Sequence, residues 1–131
     1  MRINVNLVIG SLLLYAATMF SFASIVGAEE VANKQPDVPF KFAIGKKKYQ
    51  ASCSVCHGQW LGGTDQGPPL MHGFYKPSHH GDPAFYRAAL KGVRAHHWKF
   101  GDMSPVKGIS RKDMDSIIPF IRWLQQEKGL Y

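Results

Sequence analysis

The sequence predicts an all-α domain of three to five helices. Apolar side chains recur at helical spacing in three separate segments, and no β-periodicity longer than a few residues and no internal repeat interrupts them. A further observation says that the helices enclose more than one another. The 131-residue chain carries 13 glycines and 8 prolines, so the part beyond its apolar N-terminal stretch has a small, loop-rich core. A domain of that size is marginal without a disulfide, a metal or a cofactor.

The N-terminal stretch stands apart. "MRINVN" holds one arginine, and Leu7 to Ala28 then runs for 22 residues without a charge, ending in small side chains before Glu29. Residues 1–28 read as an export signal with cleavage expected after Ala28. The same run is long enough to serve as an uncleaved membrane anchor. Residues 29–41, polar and with two prolines, read as a flexible arm, and 42–131 as the domain. Loss of residues 1–28 leaves 15 basic against 9 acidic residues, a formal charge of +6, densest at Lys46, Lys47 and Lys48. Such a surface suits an acidic protein partner or anionic lipid, and equally an ordinary solvated face. Nucleic acid is not expected as a partner, because the aromatics are not interleaved with a basic stripe.

The first domain helix is expected from Phe42 to Ser54, where Phe42, Ile44, Tyr49, Ala51 and Cys53 supply the apolar positions. Gly45 costs helix stability, which hints that another segment passes close by. Residues 58–81 are punctuated by Gly and Pro and read as a long irregular loop, reasonable if it wraps a bulky ligand. A second helix follows in "DPAFYRAALKG", with Asp82 as cap, Pro83 at the first helical position and Gly92 as the stop. Phe85, Ala88 and Ala89 line one face. "VRAHHWKFGDMSPVKG" is again loop. The last helix begins at Ser110, with Asp113 three residues on as an acidic capping box. It carries Met114, Ile117, Ile118, Ile121 and Leu124 at helical spacing, with a bend rather than a break expected at Pro119.

The chemistry lies in "CSVCH", which holds both cysteines and an adjacent histidine. A bridge between Cys53 and Cys56 would close too small a loop to staple the fold. A zinc site needs four ligands, and adjacent Cys56 and His57 cannot comfortably share one ion. A thioredoxin-like dithiol wants a strand before the motif, and none is legible. Covalent haem c attachment fits the spacing: two thiols add to the vinyl groups on one porphyrin edge, and His57 offers its imidazole to the iron. Haem would also fill the small core. For the opposite axial position Met103 stands out, an isolated thioether in a loop beside Gly101 and Pro105. Met114 reads as core, and Met71 lies too near the attachment loop. Trp98 and Phe100 read as walls of the haem pocket; Trp60 and Tyr75 are expected either on the ring or exposed.

With these residues in place, the sequence resembles the class I cytochromes c, small monohaem electron carriers, over most of residues 42–128. Gly45 and Tyr49 look like the family's opening-helix pair, and Ile117 with Phe120 like their closing-helix partners. "GPPL" looks like the family's Gly-Pro-x-Leu segment. The resemblance thereby assigns Pro68 the carbonyl that accepts from the proximal imidazole and places Leu70 in the pocket. "HGDPAFYRAALKGVRAHHWKFGDM" is similar to a bacterial periplasmic subgroup of haem proteins, which implies a periplasmic location. Ser104 before Pro105 and Pro119 in the closing helix depart from the common pattern.

The resemblance implies single-electron transfer through a His57/Met103-ligated haem iron, with redox proteins as partners, an acidic docking face on them, and no catalytic acid or base. A haem-bearing subunit of a larger oxidoreductase is the alternative. A sensor or peroxidase-like protein would need an open iron site. The pairs His79–His80 and His96–His97 are left with three readings: hydrogen bonds to propionates, backbone or water; a second metal such as copper; or His97 in place of Met103 on iron. A membrane association is expected only if the N-terminal segment is retained.

Overall fold

The computed structural model describes residues 35–131. The expectations for the export segment and for residues 29–34 of the arm fall on residues 1–34, outside that range. Among the described residues there are four α-helices and no sheet: α1 (Ala43–Ser52), α2 (Ser54–His57), α3 (Asp82–Lys91) and α4 (Arg111–Glu127). None is long and apolar enough to cross a membrane. Short 3-10 turns, Phe40–Phe42 and Gly73–Tyr75, precede α1 and interrupt the long loop.

The closing helix organises the rest. Ser110 accepts from the Asp113 amide while the Asp113 carboxylate accepts from the Ser110 amide at 2.9 Å, the reciprocal cap that the spacing predicts. Met114, Ile117, Ile118, Phe120, Ile121 and Leu124 are all buried, and each full burial contributes about 1.5–3 kcal/mol. Pro119 lies on the exposed side, and α4 continues through it. Facing solvent, the carbonyl that loses its amide partner there can be satisfied by water.

Helix α1 crosses α4 at Gly45. A side chain here would run into the Ser116 carbonyl, with that carbonyl carbon 2.9 Å and the Phe120 Cβ 3.0 Å from an added Cβ. Backbone thus meets backbone, and one turn later the buried Tyr49 ring lies 5.6 Å from the Phe120 ring. Lys48 pairs with Asp113 at 2.7 Å across the same crossing, and Phe42 stacks on Trp123. The expected helix from 42 to 54 is therefore nearly continuous, but it breaks at Cys53, whose φ of −124° leaves helical geometry, before α2 resumes.

The start of α3 differs from the expectation. Gly81 is its cap residue, and Asp82 occupies the first turn without capping. The reason is remote in sequence: Arg122 Nε on α4 donates to Asp82 Oδ1 at 2.8 Å and occupies the carboxylate. Gly92 ends α3 at φ 79°, as expected.

Candidate functional site

Helices α1, α2, α3 and α4 and two loops surround a mainly apolar cavity of about 770 Å³. That lies within the roughly 300–1,000 Å³ usual for cofactor and ligand pockets. Every residue expected at the site lines it: Cys53, Cys56, His57, Pro68, Leu70, Trp98, Phe100 and Met103. Ala84, Phe85 and Ala88 of α3 and Met114, Ile117 and Ile121 of α4 complete the walls. Tyr75 also reaches the cavity, whereas Trp60 and Met71 pack against the core instead. Met114 does both, since it is buried and still faces the cavity.

The CxxCH segment is held by its own neighbours. His57 closes α2, and the Tyr49 hydroxyl donates to the Gly58 carbonyl just beyond it at 2.8 Å. Burial drives the Tyr49 phenol far above its ordinary range, so it stays a donor. The Thr64 hydroxyl reaches back to the Cys56 carbonyl at 2.8 Å, and Gly67 passes so close to Cys56 that an added Cβ would sit 3.0 Å from the Cys56 Cβ. His57 Nδ1 lies 2.8 Å from the Pro68 carbonyl, which only accepts, so Nδ1 carries the proton and Nε2 the lone pair. Burial lowers the His57 pKa and the Pro68 hydrogen bond opposes it. The net result is a neutral ring with one free nitrogen.

Two of the competing readings of the motif gain no support from its surroundings. A redox dithiol depends on a depressed thiolate pKa. Burial, with a smaller contribution from Cys56, instead pushes the Cys53 thiol up to about 11. Among the described residues, the one set of three His, Cys, Asp or Glu side chains whose ligand atoms converge as for a metal ion is His79, His80 and His97, and it includes neither cysteine.

Met103 comes from a segment that the sequence shows only as loop. Its backbone is fixed on both sides: Val93 N donates to Met103 O at 2.9 Å, and Met103 N to Val93 O at 2.8 Å. An isolated pair of this kind leaves no periodic signal. Gly92 permits the approach, because a Cβ there would sit 2.5 Å from the Met103 carbonyl oxygen. Inside the loop closed by the bridge, Asp102 Oδ1 accepts from Ala95 N at 2.9 Å and tightens the excursion that carries Trp98 and Phe100.

Arg122 and Gln125 are the positions that sequence reasoning missed. Gln125, fully buried, donates to the Leu70 carbonyl at 2.8 Å and accepts from Arg122 Nη1 at 2.9 Å. Arg122 also donates to the Tyr75 and His80 carbonyls at 2.6 and 2.7 Å. Together they latch the irregular loop that walls the cavity. A polar pair three residues apart on an otherwise apolar stripe is the signal that could have revealed them.

The residues present fit haem. Two thiols stand with two residues between them, a lone-pair imidazole follows them, and a thioether lines the same apolar cavity. One orphan supports the fit independently. The buried Trp98 Nε1 has no hydrogen-bond partner, and an anionic edge such as a propionate would supply the missing acceptor. The Tyr75 hydroxyl feels Trp98 weakly against the larger upward push of burial on its phenol, but at no hydrogen-bonding geometry.

Comparison with known proteins agrees with the fold. The model of the family described as "Cytochrome c" matches residues 42–125. Neither the curated proteins nor the solved structures contain a match.

Proposed function

The chain belongs to the cytochrome c family, and from that premise we propose that it is a small periplasmic class I cytochrome carrying single electrons through one haem c. The observation that carries this reading is the junction of Cys53, Cys56 and His57 with a thioether, Met103, on the lining of one apolar cavity. Haem, when bound, supplies a one-electron iron couple.

The remaining work falls to the chain. Cys53 and Cys56 would tether the group through thioethers, and His57 Nε2 would ligate the iron, while Pro68 fixes the imidazole's tautomer and orientation. Met103, its backbone already set by Val93, would supply the second ligand. With both ligands supplied by the chain, the group would suit a carrier that binds no substrate at iron. Thioether ligation and burial both favour the reduced state. Leu70, Phe85 and Ile117 keep water from the cavity, so little rearranges between oxidation states. Trp98 Nε1 would donate to a carboxylate of the group, and Phe100, 44 % exposed, lies at the solvent side of the cavity lining. The formal charge of +6 beyond the export segment orients a redox partner with an acidic face.

The test is the exported full chain, read by intact mass and by oxidised and reduced spectra. Mass is expected to show one haem retained after denaturation. Reduced wild type is expected to resist carbon monoxide, and Met103→Ala to bind it rapidly. Rapid binding by both overturns Met103 ligation, and loss of the pigment on denaturation overturns the attachment.

A further inference from the structure

His79 and His80 stand in the loop entering α3, and His96 and His97 in the loop leaving it. Their imidazoles converge. His97 Nε2 lies 3.1 Å from His79 Nε2 and 3.1 Å from His80 Nε2, and His80 Nε2 lies 3.4 Å from His96 Nε2. Hydrogen bonding does not account for this packing. A neutral imidazole nitrogen offers one proton or one lone pair, yet His80 Nε2 and His97 Nε2 each face two partners. No choice of tautomers makes all three contacts good. His96 narrows the choice further: its Nδ1 lies 2.8 Å from the Arg94 carbonyl, so Nδ1 holds the proton and Nε2 points a lone pair inward.

We propose that His79, His80 and His97 bind one transition-metal ion of the zinc(II) or copper(II) class beside the haem cavity, with His96 the imidazole next to them. A tetrahedral ion with nitrogen ligands at about 2.0–2.1 Å sets those nitrogens roughly 3.3 Å apart, which the three observed separations match. Ligand atoms of His79, His80 and His97 lie within 4.8 Å of one another, and His96 Nε2 stands 3.4 Å from His80 Nε2 at the edge of that set. An all-imidazole set suits zinc, copper or nickel and not magnesium or calcium. The neighbouring carboxylate in the loop, Asp102, accepts from Ala95 N. The rings are supported from behind: Phe74 stacks on His97 at 4.1 Å and 17°, and Arg122 donates to the His80 carbonyl at 2.7 Å. His79 and His96 are exposed, which gives an ion its way in.

His80, His96 and His97 line the cavity as well. An ion held there places positive charge beside the redox group and raises its reduction potential. That coupling rests on the haem reading of the cavity; the metal site itself does not.

The probe is zinc alone, titrated into full-length, haem-loaded protein against a chromophoric chelator. Wild type is expected to take up about one equivalent. Outer supports alone are worth roughly 10–100-fold in metal affinity, so the His79→Ala/His97→Ala double variant is expected to lose more than tenfold. Copper(II) is expected to bind more tightly than zinc. No uptake by wild type, or equal affinity in the variant, overturns the site. So does a variant whose haem spectrum shows that His97 had held the iron. A potential unmoved by bound zinc overturns the coupling. The intact mass reports haem attachment separately, so failure of that reading is distinguishable from failure of the metal site.

Discussion

Gly45→Ala isolates the helix crossing on which the fold depends. In an unhindered helix interior this change stabilises by about 0.8–1.0 kcal/mol. Here the added Cβ meets the Ser116 carbonyl carbon at 2.9 Å and the Phe120 Cβ at 3.0 Å, where ordinary contact begins near 3.4 Å, and the carbonyl oxygen is closer still. None of these atoms can rotate away, so α1 must lift from α4, which loosens Tyr49 against Phe120. Overpacking costs about 1–3 kcal/mol, and rigid neighbours put this site at the upper end. The net loss is about 1–2 kcal/mol, or roughly 5–15 °C in Tm for a domain of this size. The assay is urea unfolding of the haem-loaded protein, with the slope checked for constancy. Gly62→Ala is the control, because an added Cβ there meets nothing within 4 Å. If Gly45→Ala matches or exceeds wild type while Gly62→Ala behaves as expected, the close approach is not what the glycine is for.

Three further outcomes follow from the same geometry. Tyr49→Phe leaves the Gly58 carbonyl without its donor and is expected to cost about 1–2 kcal/mol in the same unfolding assay; an unchanged midpoint refutes this. Gly92→Ala forces the Met103 carbonyl outward and is expected to weaken axial ligation, read as carbon monoxide binding by the reduced variant; wild-type resistance to the gas refutes it. Lys48, then the side chain and backbone of Ser110, hold the Asp113 carboxyl well below the usual carboxylate range. A depressed folded pKa contributes stability above the unfolded value of about 3.9 and loses it as pH falls through the folded one. Asp113→Asn is therefore expected to be less stable than wild type at neutral pH, with the gap shrinking below about pH 4. A gap of constant size across that range contradicts the assignment.

What the sequence disclosed was local. CSVCH, the Ser110–Asp113 cap, the Gly92 stop and the apolar stripe of α4 each rest on spacing within a few residues, and each stands in the structure where it was expected. Gly45 was legible as a point where another segment passes close by, and the Ser116 carbonyl is the group that passes there. The unread features all join distant segments. Asp82 resembles a helix cap until Arg122, forty positions on, occupies its carboxylate. The Val93–Met103 bridge is a single residue pair with no period to detect. The two histidine pairs were visible, but their convergence depends on the loops before and after α3 folding back to one place.

The Arg122–Gln125 latch carries a consequence for the order of assembly. The carbonyls of Leu70, Tyr75 and His80 depend on donors that belong to the last turns of the chain. During synthesis the CSVCH segment is made well before them, and N-terminal parts are free to act first. A nascent chain that has presented its cysteines but not yet Arg122 has nothing to hold that loop against the cavity. A group attached at that stage would enter through a side that the finished protein closes behind it.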